Sequence, residues 1–100
     1  MSIIRKVQLS KLTGMFLQGY VITTYDTLVE LIGEPNAGRS GNGKVNCEWV
    51  LDIDGEPVTI YDWAQDEVPK ETYNWHVGGY GIKSLVYLNR ALGLDTYRWC

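Results

Sequence analysis

The sequence predicts an α+β fold: a small antiparallel sheet built on a central hairpin (44–63), with two helices (about 24–32 and 81–92) packed on one face. Three observations predict it. Asp54-Gly55 joins two β-type runs, a helical stripe follows Thr24, and a second apolar stripe stops at Gly93.

The hairpin organises the rest. Lys44 to Trp63 reads KVNCEWVLDIDGEPVTIYDW, and Asp-Gly suits a type I′ turn because both central residues need positive φ. With a two-residue loop, Ile53 faces Glu56, Leu51 faces Val58, Trp49 faces Ile60 and Cys47 faces Asp62. One face then carries Val45, Cys47, Trp49, Leu51, Ile53, Val58 and Ile60 and needs a second layer against it. The other carries Asn46, Glu48, Val50, Asp52, Pro57, Thr59, Tyr61 and Trp63, a mixed set. Pro57 cannot donate to a ladder, which places its strand at an edge there.

In chain order, Ser2 to Leu9 has imperfect alternation and is expected as a first strand. Lys11 to Val21 contains Gly14 and Gly19, giving a turn and then a short strand from Phe16 to Ile22, with a loop as the alternative. Thr24 is a natural N-cap, Asp26 favours the positive helix end, and Gly33 and Pro35 close the segment. Tyr25, Leu28, Val29 and Ile32 form the stripe that this helix lays on the sheet. Asn36 to Gly43, NAGRSGNG, is expected to be an exposed flexible connection; it lacks P-loop spacing. Glu71 to Val77 is expected as a further strand, broken by Gly78-Gly79. A helix from Tyr80 or Gly81 to Leu92 follows, burying Ile82, Leu85, Val86 and Leu92 and turning Lys83, Asn89 and Arg90 outward. Gly93 ends it, and the tail LDTYRWC is expected to be partly ordered. The layout is β(β)-α-β-β-β-α.

Size and composition bound the function. Residues 1–100 make one domain with one modest core. A hydrophobic share of 45% against 21% charged residues excludes a disordered chain. Four Trp and seven Tyr against one Phe favour positions with an apolar body and a polar tip: core edges, interfaces or ligand surfaces. A net charge of −3 without a basic run argues against duplex nucleic acid as a partner. Neither a signal-type apolar stretch nor a bilayer-length run occurs, so no membrane partner and a cytoplasmic location with reduced Cys47 and Cys100 are expected. A single His and two separated Cys argue against a structural zinc site, and neither a metal nor a cofactor is expected.

Three segments occur in an order that resembles a family of small proteins encoded by tailed phages and some large DNA viruses. They are GYVITTYDTLVELIGEPN (Gly19 to Asn36), KVNCEWVLDIDGEPVTIYDW (Lys44 to Trp63) and WHVGG (Trp75 to Gly79). The family's function is uncharacterised. The resemblance implies an accessory phage protein acting in the host cell, neither a virion component nor a replication enzyme. The chain departs from the family pattern at Glu56-Pro57 and in the connection before WHVGG.

Chemistry concentrates around WHVGG. If Gly78 and Gly79 open a helix, their free amides and the helix dipole would hold an anion. His76 and Lys83 would add a proton donor and a charge, and Trp75 and Tyr80 would stack a planar group. Asp62, beside Tyr61, would orient His76 or be buried and satisfied by hydrogen bonds. The expected ligand-binding residues are therefore Tyr61, Asp62, Trp75, His76, Gly78, Gly79, Tyr80 and Lys83, suited to a nucleotide-type molecule. Equally, the glycines can supply only a turn, His76 can bond a carbonyl and Trp75 can be core. No Ser/His/Asp or Cys/His arrangement points to an enzyme, so no catalytic residue is assigned. The expected function is non-enzymatic: an anti-defence or host-takeover protein sequestering a nucleotide-derived signal as a homo-oligomer that encloses it, the alternative being a direct inhibitor of a host protein through an acidic, aromatic surface.

Overall fold

The computed structural model describes residues 3–8, 15–38 and 44–93, and the backbone of 97–99. Its elements are β1 (Ile4–Lys6), β2 (Phe16–Thr23), α1 (Tyr25–Ile32), β3 (Glu48–Ile53), β4 (Glu56–Tyr61), β5 (Tyr73–Gly79), α2 (Lys83–Leu92) and β6 (Tyr97–Trp99). The strands form one sheet in the order β1-β3-β4-β5-β2-β6, with every pairing antiparallel.

The hairpin forms as Asp54-Gly55 dictates. Asp54 and Gly55 have φ of 53° and 91°, and the register runs from Ile53↔Glu56 to Glu48↔Tyr61. Asp52 Oδ1 accepts the Gly55 N–H at 2.8 Å, and Asp54 Oδ1 accepts the Ile3 N–H at 2.8 Å, which ties β1 to the turn. Although β4 lies inside the sheet, its pairing with β5 stops at Val58↔Gly79. Pro57 sits just past that limit. In a two-residue hairpin the Asp52↔Pro57 pair exchanges no hydrogen bonds, so the proline nitrogen points to the side where β5 has ended.

Thr24 caps α1 as expected: its Oγ1 accepts the Thr27 N–H at 3.1 Å, a contact worth about 1 kcal/mol. Gly33, at φ 84°, ends the helix and donates its N–H to Val29 O. Asn36, two residues after the helix closes on Gly33-Glu34, clamps two strands. Its Nδ2 donates to Val7 O and Val50 O, while its Oδ1 accepts the Val50 N–H. Residues 9–14 and 39–43 of the two expected glycine-rich connections lie outside the described residues.

The core lies between the sheet and both helices. Leu28 from α1 and Leu85, Leu88 and Leu92 from α2 join Trp49, Leu51, Ile53, Val58, Ile60, Trp75 and Val77. Trp49 and Trp75 meet edge to face, centroids 5.5 Å apart. Their indole N–H groups reach Gly33 O and Thr23 O, so both polar tips are satisfied inside.

Three expectations need correction. Gly78 and Gly79 do not break β5; they are its last two residues. The expected buried face of α2 is rotated: Ile82 and Val86 are exposed, while Ser84, Leu85, Leu88 and Leu92 face the core. Ser84 sits against Gly79, and that close approach sets the rotation. The tail supplies β6, which pairs with β2 and occupies what would otherwise be an open edge.

Candidate functional site

Residues paired directly across an antiparallel sheet point to the same face. Glu48 pairs with Tyr61, Tyr61 with His76, and His76 with Tyr20. One residue from each of β3, β4, β5 and β2 therefore lines up in a single row. Each row member alternates with a core residue: Trp49, Ile60, Val77 and Val21 are buried beside them along their strands. The row consequently lies on the face turned away from α1 and α2.

Three aromatic rings are in contact along the row. The Tyr20 ring meets His76 edge-on, centroids 5.1 Å apart at 74°, and Tyr61 lies over it at 5.4 Å and 33°. Tyr73 approaches from the strand's start, at 6.3 Å. Tyr20, Tyr61, His76 and Glu48 are each half-buried, so part of every side chain remains at the surface.

Electrostatics at the row are set by burial. Desolvation holds the His76 imidazole below its ordinary pKa, against the opposing pull of the Asp62 carboxylate. The ring is thus neutral near pH 7, and its Nδ1 is buried without a hydrogen-bond partner among the described residues. Burial first, then the negative charge of Asp62, pushes the Glu48 carboxyl up to about 7. Among the described residues no cation or hydrogen bond offsets that shift.

Of the expected site residues, the structure brings Tyr61 and His76 together. Asp62 is close in sequence but engaged elsewhere. Fully buried, its Oδ1 accepts the Asn46 and Cys47 N–H groups at 2.8 and 3.3 Å, and its Oδ2 accepts Asn46 Nδ2 at 2.8 Å. The buried, satisfied alternative is the one observed, with Asp62 fixing the entry to β3. Trp75 is wholly buried between Trp49 and Tyr73 and has no face to offer a ligand. Tyr80 and Lys83 are exposed, beyond the end of β5 and at the start of α2.

The glycine pair is not an anion cradle. Both residues lie in a strand flanked by β4 and β2, and α2 begins only at Lys83. What the position demands is closeness. A Cβ on Gly79 would fall 2.4 Å from Ser84 Cβ, and one on Gly78 would fall 2.7 Å from Thr59 Oγ1. Gly79 admits the helix on one face; Gly78 lets Thr59 and the Tyr61 ring close over the other.

Sequence reasoning missed Glu48 and Tyr20 as site members. Glu48 was legible as facing Tyr61 through the hairpin register, but nothing in the sequence sets it apart from the other residues of the hairpin's mixed face. Tyr20 could be found only with the β2–β5 register, and that contains an irregularity between Leu17 and Gly19. Cys47 carries no chemistry here: it is buried, and its thiol is pushed up to about 12 by desolvation and then by Asp62 and Glu48. Among the described residues no three His, Cys, Asp or Glu side chains converge as metal ligands do, and no helix is long and apolar enough to cross a membrane. Comparison with family models, curated proteins and solved structures gives no match.

Proposed function

We propose that the protein is a non-enzymatic accessory factor of the phage type its sequence resembles, and that it works by holding a planar, nucleotide-derived molecule on the sheet face. The observation that supports this is the row Tyr20–His76–Tyr61, three contacting rings drawn from three adjacent strands and left uncovered by both helices. A rigid sheet presenting aromatic side chains is a stacking platform for bases, each stack contributing about 1–3 kcal/mol. Neutral His76 adds a planar surface without a cation's hydration shell. The ligand's phosphate finds no glycine cradle, so the base supplies the recognition.

A calorimetric panel of linear and cyclic nucleotides tests the reading. Binding is expected for at least one of them and should weaken about tenfold or more in Tyr61→Leu, which keeps bulk but removes the ring. No heat from any nucleotide would contradict it. Light scattering on the same samples gives the oligomeric state expected of a small chain that encloses its ligand.

A second reading is favoured by one surface. Trp63 is exposed at the head of a loop whose Asp66, Glu67 and Glu71 are exposed as well. An aromatic anchor with an acidic rim suits a basic protein partner. Binding of that kind would weaken with salt and in Trp63→Ala, and would be indifferent to Tyr61→Leu.

A further inference from the structure

Within that proposed binding role, on which this step rests, we infer that the sheet face selects a base with two adjacent N–H donors, a guanine-type edge, received by the Glu48 carboxylate while the ring stacks on Tyr61 at the end of the aromatic row. The geometry comes from the register. Glu48 pairs with Tyr61 and Tyr61 with His76, so the carboxyl closes the end of the aromatic row. One strand spacing, about 4.8 Å, separates successive members. A purine stacked on the outer face of Tyr61, the side turned toward β3, therefore lies within reach of the Glu48 side chain. On its far side Glu48 is joined through its backbone to Ala37.

The chemistry narrows the ligand. A half-buried carboxylate with no compensating partner is costly unless something supplies donors. Guanine offers a ring N–H and an exocyclic amine side by side, matching the two carboxylate oxygens. Adenine turns a ring-nitrogen acceptor toward them, and hypoxanthine lacks the amine. Hydrogen bonds to a charged acceptor are strong enough to make the preference about tenfold or more.

Protonation of Glu48 should then govern the preference. The titratable groups around it are Tyr61 and Asp62 at the end of β4, His76 on β5 and Cys47 beside it. Arg5 and Lys6 of β1 pair further along β3, with Asp52 and Leu51, and Glu34 is exposed ahead of the Ala37 bridge. Among the described residues, then, burial and Asp62 set the state of the carboxyl and no cation offsets them, so a ligand's donors would hold it ionised.

Titration with the 3′,5′-cyclic monophosphates of guanosine, inosine and adenosine, whose phosphates keep one charge, tests this at pH 6 and pH 8. The guanosine compound should bind about tenfold or more tightly than the other two at pH 8, and the margin should shrink at pH 6. Glu48→Gln should abolish the margin while retaining the adenosine compound's binding and the thermal unfolding transition. As a second measurement, the Glu48 carboxyl titration followed by carbon NMR should move to lower pH when the guanosine compound is bound. Equal affinities for all three, still sensitive to Tyr61→Leu, would overturn the guanine edge and leave the stacking role standing. Binding of none would overturn both.

Discussion

Glu48 shows how one residue's environment becomes a measurable property. Its carboxyl is raised from 4.5 to about 7 by burial and by Asp62. Between those values the folded protein holds more protons than the unfolded chain, so this group makes stability fall as pH rises, and the loss persists above about 7. Glutamine is neutral throughout. Glu48→Gln should therefore match the parent near pH 4 and exceed it at pH 8 by about 1–2 kcal/mol, the full linkage value being reduced because solvent reaches part of the carboxyl. Urea midpoints across that range measure it, and a difference that stays flat would contradict the burial. His76 acts in the opposite sense. Its lowered pKa favours the neutral ring in the folded state, so stability is lost as pH falls through its ordinary value of 6.5. Both proteins share that term, which is why the comparison between them isolates Glu48.

At the scale of elements, the decisive contact is β5 against α2. Gly79 meets Ser84 so closely that a Cβ would stand 2.4 Å from Ser84 Cβ, an atom fixed to its helix backbone. Gly79→Ala should push α2 off the sheet and cost about 1–3 kcal/mol, read as a lowered thermal midpoint. Gly79→Ala combined with Ser84→Gly should recover part of it, because the obstructing atom is then gone. This contact also explains what was legible beforehand. The hairpin register and the start of α1 follow from neighbours in sequence: a turn dipeptide sets one, and a capping threonine the other. Gly78-Gly79 looked like a break because glycine is depleted within strands. The reason for its presence is a helix residue that has to fit against it, and that is a tertiary fact. Trp75 misled for a related cause: periodicity showed that it alternates with His76, while the face that α1 and α2 cover is decided by packing.

On the scale of the whole molecule, a single six-stranded sheet separates two chemistries. One face meets both helices through buried leucines, valines and two tryptophans; the other carries Glu48, Tyr61, His76 and Tyr20 in line. That division was half visible in the sequence. The mixed face of the hairpin already contained Glu48 and Tyr61, but its continuation through His76 to Tyr20 needs three strands brought together by long-range pairing, one of them across the irregularity near Gln18. The proposed role depends on this face and not on the start of α2, where Tyr80 and Lys83 are exposed. Amide chemical-shift mapping with the guanosine cyclic monophosphate separates the two places. The account predicts that the largest shifts fall on Tyr20, Glu48, Tyr61 and His76, while Tyr80 to Ser84 stay still. Shifts confined to Tyr80 to Ser84, or no shifts at all, would contradict it.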